Sequence, residues 1–212
     1  MTHTLHRAGT VESLERDYVV FAMAAQGVNR DGAAEKLRKF LETVLKYNPV
    51  NFGDMKTGNA ISVGQEKVLE GIRDNSIVHG VFTDADTVAR LLNELKEAAL
   101  GMSVVVTGLL DHADKCCREA GLQRHTVECS LGIWGRTDLL PERENLEIST
   151  MCGHGMVSFK LVDHLVEKVQ KGRMTPKAAA RELASNCHCG VVNPERAAEL
   201  LEKMARTRVG AE

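Results

Sequence analysis

The middle of the chain carries the most regular hydrophobic pattern. Ile77–Phe82 and Met102–Leu109 are predicted strands, and the second contains three consecutive valines, which are typical of a buried strand. Apolar positions recur at helical spacing over 85–100 and 111–120. A third strand is predicted over His125–Ile133, because apolar and polar residues alternate there. This succession of strand and helix predicts βαβ units with parallel neighbouring strands.

The N-terminal region shows mainly helical features. Residues up to about Thr10 are predicted to form a loose arm. Val11–Ala25 is predicted to be a helix, because acidic residues suit its first turn and Gly27 suits a C-cap. A second helix is predicted from Ala33 to about Tyr47, where an apolar stripe recurs at helical spacing. The two helices would form a hairpin, and we expect its outer face to be available for a homodimer contact.

The remaining elements are less strongly patterned. Asn51–Asn59 is a glycine-punctuated stretch and is predicted to be a surface loop, followed by a short helix over Gln65–Ile72. Leu146 and Ile148 alternate with polar neighbours, which favours a strand ending just before Cys152. Three C-terminal helices are predicted at about 157–172, 176–187 and 194–204, the last two opened by Thr-Pro and Asn-Pro. Glu195 and Arg196 are expected on the solvated face of the last helix.

The pattern as a whole predicts an α/β fold with a mixed or parallel sheet built from βαβ units. We expect one domain over 1–212, with a helical region at 1–48, a sheet core at 76–150 and a helical segment at 151–212. A chain of 212 residues with 43% hydrophobic residues can bury a sizeable core without disulfides.

Charge and composition argue against several classes of partner. A net charge of −2 with 4% aromatic residues does not favour a nucleic-acid-binding surface. No apolar run is long enough to span a bilayer, and the N-terminus lacks the apolar core of a signal peptide. We therefore expect a cytoplasmic protein without nucleic-acid or membrane partners. Six cysteines in a reducing compartment are expected to be thiols, ligands or catalytic groups rather than disulfides.

Two cysteine-containing stretches are the best chemical clue. Cys152 lies in Met-Cys-Gly-His-Gly, and Cys187 and Cys189 lie in Cys-His-Cys-Gly. Each of these three site cysteines falls at a predicted element end beside glycine, where a metal or a substrate can approach. We expect their sulfurs to share one pocket. The other cysteines are expected to pack in the core: Cys116, Cys117 and Cys129.

An iron–sulfur cluster is the first functional hypothesis. The three site cysteines would hold a [4Fe–4S] or similar cluster, and its open iron would face a small-molecule substrate or a redox partner. His154, His188 or Cys129 would be available as a fourth ligand. The second hypothesis is structural zinc in a binding or regulatory module, since the three cysteines with His154 form a Cys₃His set.

The third hypothesis is metal-free thiol chemistry. Cys152 is predicted at or just before a helix N-terminus, where the helix dipole favours a thiolate, with His154 beside it as the predicted catalytic residue. The stretch from 151 to 155 resembles the nucleophile motif of the proline racemase family, in which Cys-Gly-His-Gly precedes a helix. The resemblance covers these five residues and implies racemase- or epimerase-like proton transfer at an α-carbon by Cys152.

Overall fold

The centre of the fold is an antiparallel sheet of five strands, covered by helices on both faces. A computed structural model describes residues 7–209, and the side chains of residues 7–207. The strands are β1 (Tyr18–Met23), β2 (Asn51–Asp54), β3 (Gly58–Asn59), β4 (Ile77–Phe82) and β5 (Ser103–Thr107). Their order across the sheet is β3-β2-β4-β1-β5.

Helices account for most of the remaining chain. They are α1 (Val11–Leu14), α2 (Ala33–Leu45), α3 (Ala60–Val63), α4 (Gln65–Gly71), α5 (Ala85–Ala98), α6 (Leu110–Glu119), α7 (Arg143–Ser149), α8 (Phe159–Gln170), α9 (Pro176–Asn186) and α10 (Pro194–Val209), with a 3-10 turn at Thr137–Leu139. The sequence predictions for α2, α4, α5, α6, α8, α9 and α10 are confirmed. The Thr175 side chain caps α9 by accepting from the Ala178 amide at 3.2 Å, and the Asn193 side chain caps α10 by accepting from the Arg196 amide at 3.0 Å. Within residues 7–209, none of these helices combines the length and the apolar character needed to cross a bilayer.

The helix predicted over 11–25 is wrong beyond its first turn. Only Val11–Leu14 is helical, and Tyr18–Met23 forms the strand β1. Both faces of β1 are buried, so the segment is continuously apolar and does not alternate as a half-exposed strand would. Without alternation, periodicity alone does not separate a buried strand from a helix. Within residues 7–209 the predicted helical hairpin therefore does not form.

The prediction of parallel neighbouring strands is also wrong. β4 and β5 point the same way and α5 connects them, as in a βαβ unit, but β1 lies between them and is antiparallel to both. The sheet is therefore antiparallel throughout. The reason is the segment mistaken for a helix, because it supplies the strand that separates β4 from β5.

Three further segments differ from the predictions. The stretch predicted as a strand over 125–133 is irregular and exposed, and Leu146 and Ile148 lie in helix α7. The loop predicted over 51–59 is the β2–β3 hairpin. The fold therefore mixes helix and sheet, as the sequence predicts, but the sheet takes less of the 76–150 region than expected.

Each face of the sheet has its own apolar core. Alternate residues of β1, Tyr18 and Val20, pack toward α2 and α5, while Val19 and Phe21 pack toward α8, α9 and α10. The C-terminal helices thus form a layer against one face of the sheet. The cysteine-bearing turns lie in this layer, and the second turn contacts the β2–β3 hairpin.

Candidate functional site

Cys152 lies in the turn between α7 and α8. Gly155 has a φ of 69°, a left-handed conformation that glycine adopts without strain, and its amide donates to the Cys152 carbonyl at 3.1 Å. The N-cap of α8 is Ser158, whose hydroxyl accepts from the Leu161 amide at 3.2 Å. Cys152 is therefore six residues ahead of the helix cap, and its predicted position at a helix N-terminus is wrong.

Cys187 and Cys189 lie in a tight turn at the end of α9. Cys187 is the C-cap residue of that helix, and its amide donates to the Ala184 carbonyl at 3.1 Å. The Gly190 amide then donates to the Cys187 carbonyl at 3.0 Å, and Gly190 has a φ of 76°. This turn brings the sulfurs of Cys187 and Cys189 to 3.9 Å from each other.

The fold joins the two turns through their side chains. The side chain of Cys152 interacts with that of Cys187, and the Cys189 sulfur lies 3.8 Å from Nδ1 of His154. The contacts thus run in sequence from Cys152 through Cys187 and Cys189 to His154, and we call these four residues the cysteine cluster. All three sulfur-bearing residues are at most 2% exposed, whereas His154 faces solvent.

The three thiols differ in the ease with which each loses its proton. The hydrogen bond that Cys152 donates to Cys187, together with burial, raises the pKa of Cys152 well above its ordinary value. The interaction with Cys152 works to lower the pKa of Cys187. The bond from Cys187 to Cys189 and the burial of Cys187 outweigh that effect and raise the pKa of Cys187 to about 11. The bond accepted from Cys187 lowers the pKa of Cys189. A single thiolate in the cluster would therefore reside on Cys189, and an activated Cys152 is disfavoured.

Backbone amides near the sulfurs also act on the thiols. The amides of His154 and Met156 favour the thiolate of Cys152, and the amide of Val191 favours those of Cys187 and Cys189. Each of these bonds lowers the pKa of the thiol that accepts it, because an N–H donor stabilises the thiolate more than the neutral thiol. Hydrogen bonds from backbone amides to metal-bound thiolates also adjust the properties of the metal site.

The β2–β3 hairpin supports the second turn from below. The Asn59 side chain donates to the Cys187 carbonyl at 3.0 Å, and the Asn51 side chain donates to the Val192 carbonyl at 2.9 Å. At Gly53 a Cβ atom would lie 2.7 Å from the Cys189 carbonyl oxygen, so β2 and the turn are in backbone contact. These contacts with the hairpin fix the position of Cys187 and Cys189 relative to the sheet.

A buried group of charged residues holds the two turns together. The Arg7 guanidinium donates to the carbonyls of Met151, at 3.2 Å, and of Val191. It also pairs with the buried carboxylate of Asp17, which a second guanidinium, that of Arg196, contacts at 2.7 Å. One arginine therefore binds the backbone next to Cys152 and the backbone next to Cys189.

The structure brings the predicted residues Cys152, Cys187, Cys189 and His154 together. As the side chains stand, no three His, Cys, Asp or Glu within the described residues are arranged to hold a metal ion. His188, the intervening histidine, is exposed and lies toward Gly58 of β3.

The cysteines outside the cluster differ in burial. Cys116 is buried and Cys117 is half-buried, as expected for packing residues. Cys129 is exposed, so its predicted packing in a strand is wrong, because that strand does not form. All six cysteines are free thiols.

Sequence reasoning missed the residues that support the cluster. Arg7 falls in the predicted loose arm, whose residues 1–6 lie outside the described part, and nothing local in the sequence marks its side chain as buried. Arg196 was assigned to a solvated face, yet it is 2% exposed. A usable sign was present there, because Arg196 is one helical turn before the buried Leu200 and three residues after the cap Asn193.

Comparisons of the chain with protein-family models, with curated proteins and with solved structures found no match. The resemblance to proline racemases thus rests on five residues. As in that motif, the stretch precedes a helix, α8, with Cys152 six residues before the helix cap.

Proposed function

We propose that the cysteine cluster is a structural metal centre that binds one tetrahedral ion, with zinc as the fitting metal. The ligands would be the thiolates of Cys152, Cys187 and Cys189 and the imidazole of His154, a Cys₃His set. On this proposal the chain is a metal-stabilised binding or regulatory module, in a reducing cytoplasmic setting that keeps its thiols available.

The separation of two sulfurs supports a single ion most directly. Two thiolates on one tetrahedral zinc, with bonds of about 2.3 Å, stand about 3.8 Å apart. The sulfurs of Cys187 and Cys189 are 3.9 Å apart. In a [4Fe–4S] cluster each thiolate binds a different iron, which requires a wider separation. The distance therefore favours one ion over the cluster that the sequence suggested first.

Metal binding would change the contacts among the three thiols. Zinc binds thiolates and releases the thiol protons, and the sulfurs would then turn toward the ion instead of toward each other. The amides of His154, Met156 and Val191, which favour the thiolates, would then be outer partners of the ligands.

Burial favours a structural rather than a catalytic ion. Structural zinc sites have all four positions filled by protein, whereas catalytic sites keep one position for water or substrate. The three sulfurs are buried, and the exposed His154 would close the side that faces solvent. The ion would cross-link the α7–α8 turn to the α9–α10 connection, which meet in the fold through the side chains of the cluster and Arg7.

Elemental analysis of protein prepared without oxygen tests the proposal. Full occupancy would give one zinc per chain and no acid-labile sulfide, and cobalt substitution would give the absorption of a tetrahedral thiolate site. The single variants Cys189→Ser and His154→Ala should lose most of the metal. Cys129→Ser is the matched control, because Cys129 is exposed and outside the cluster, and it should keep full occupancy.

Two results would contradict a single-ion centre. Iron and sulfide in equal amounts, lost in Cys189→Ser, would establish a cluster instead. Protein that takes up no metal after reduction and zinc addition, and whose unfolding is unchanged by a chelator, would leave the thiols without a metal role.

A further inference from the structure

A cavity of about 830 Å³ lies beside strand β5, away from the cysteine cluster. It is lined by residues 99–110 and by residues 122–130 of the connector between α6 and α7, so it follows the strand along its length. The strand with one residue added at each end is about 23 Å long, at about 3.3 Å per residue. Small-molecule sites in proteins typically have volumes of about 300–1,000 Å³. The cavity therefore has the volume of a ligand site and the shape for an elongated ligand.

The two walls of the cavity differ in polarity. Helix α5 and strand β5 supply an apolar wall, which includes Leu92, Leu95, Met102, Val104, Val105 and Val106. The connector supplies mainly polar residues, with Gln123, Arg124, His125 and Thr126 in sequence. Close packing of the connector on the apolar wall would bury these polar groups, which costs free energy unless each finds a hydrogen bond. The gap between the walls therefore suits a ligand with an apolar body.

One end of the cavity is basic. The Lys96 ammonium donates to the Ala120 carbonyl at 3.0 Å, just after the end of α6. Within residues 7–207 this ammonium forms no ion pair, and it lies at the exposed rim of the cavity. Arg124 also lines the cavity, and its guanidinium pairs with Asp114 of α6 at 3.3 Å. An anionic group of a ligand would find its counter-ions at this end.

We propose that the cavity binds a single-chain carboxylate of the fatty-acid class, with the acyl chain along β5 and the carboxylate beside Lys96 and Arg124. The charged residues Arg7 and Asp17 also line the cavity, but they pair with each other, so the basic end sets the orientation. Because residues 122–130 already lie along β5, the remaining space suits a narrow acyl chain better than another strand of protein. The cavity lining and the cysteine cluster have no residue in common, so the proposal is independent of the metal centre.

Calorimetric titration of the full chain with dodecanoate tests the proposal. We expect saturable binding of one dodecanoate per chain. Octanoate keeps the carboxylate but has a shorter chain, and each buried methylene should tighten binding by about fourfold. Octanoate, about four methylenes shorter, should therefore bind at least about 50-fold more weakly.

The variant Lys96→Glu separates recognition of the carboxylate from burial of the acyl chain. It should raise the Kd of dodecanoate by about 10-fold, because it replaces an attractive charge at the rim with a repulsive one. The Kd of dodecanol, which has the same chain without a charge, should stay unchanged. Lys115→Glu is the matched control, because Lys115 is an exposed lysine of α6 outside the cavity lining, and both Kd values should stay unchanged. Both replaced side chains are exposed, so the variants should fold, and circular dichroism would verify it.

Three results would overturn the proposal. A lack of saturable dodecanoate binding would exclude this ligand class, and a dimer in sedimentation velocity would then identify a second copy of the chain as the occupant. An unchanged dodecanoate Kd in Lys96→Glu would place the carboxylate elsewhere. Equal weakening of dodecanoate and dodecanol in that variant would show that Lys96 does not recognise the carboxylate.

Discussion

Asp17 is the residue whose replacement should reveal most about the scaffold of the cysteine cluster. Its carboxylate is fully buried and accepts from two guanidinium groups, those of Arg7 and Arg196. Arg196 Nη1 lies 2.7 Å from Asp17 Oδ2. The change Asp17→Asn keeps the shape of the side chain but removes its charge, so two buried cations lose their closest anion. Glu147, at 3.9 Å from Arg196, would be the carboxylate that remains near them.

The expected cost follows from burial. Removing one partner of a buried ion pair costs about 3–5 kcal/mol, because the remaining charge is left desolvated. The chain offers a matched control at the surface, where Arg16 Nη1 lies at the same 2.7 Å from Glu199 Oε1 and both side chains are about half exposed. Glu199→Gln removes the same kind of charge, yet an exposed pair contributes only about 0–1 kcal/mol.

The two variants would be compared by urea unfolding and by calorimetry. For a chain of this size, about 1 kcal/mol corresponds to about 2–4 °C in Tm. Asp17→Asn should therefore lower Tm by about 6–20 °C, and Glu199→Gln by at most about 4 °C. Because Arg7 also binds the carbonyls of Met151 and Val191, alkylation of Cys152 in metal-free protein should become faster in Asp17→Asn. Equal losses of unfolding free energy in the two variants would refute the argument that burial sets the contribution of this ion pair to stability.

Two further predictions concern the packing of the cysteine turn and the pH dependence of stability. Gly190→Ala should lower the free energy of unfolding by about 1–3 kcal/mol more than Gly172→Ala, because both glycines have positive φ but only at Gly190 would a Cβ lie 2.5 Å from the Phe52 carbonyl oxygen. Equal urea midpoints would contradict that contact. Burial, with smaller contributions from nearby charges, raises the pKa of Cys116 to about 11 from 9.0, so between these values the unfolded thiol loses its proton while the folded one keeps it. The stabilisation that the neutral Cys116 thiol contributes is complete below pH 9 and is lost as pH rises toward 11. The variant Cys116→Ser should therefore reduce the fall in unfolding free energy with rising pH in this range. An unchanged pH dependence in the variant would refute the assignment of this fall to Cys116.

The sequence predicted the elements whose evidence is local. The amphipathic helices α2 and α5 show their apolar stripes directly, and the caps at Thr175 and Asn193 need only a side-chain oxygen and a following proline. The candidate cluster was also accessible, because two short cysteine motifs beside glycine mark turns at element ends. These features are determined within a few residues of chain, and so the sequence alone determines them.

Tertiary structure decided the features that depend on packing or pairing with elements distant in the sequence. β1 is apolar throughout because helices lie on both of its faces, and its insertion between β4 and β5 turns an expected parallel sheet into an antiparallel one. Residues 125–133 alternate like a strand but join no sheet within the described chain, because a strand forms only beside an edge that pairs with it. From the sequence, Arg7 and Asp17 would be expected at the surface because both are charged. In the fold they form a buried ion pair although they are ten residues apart, and no local sequence pattern encodes that contact.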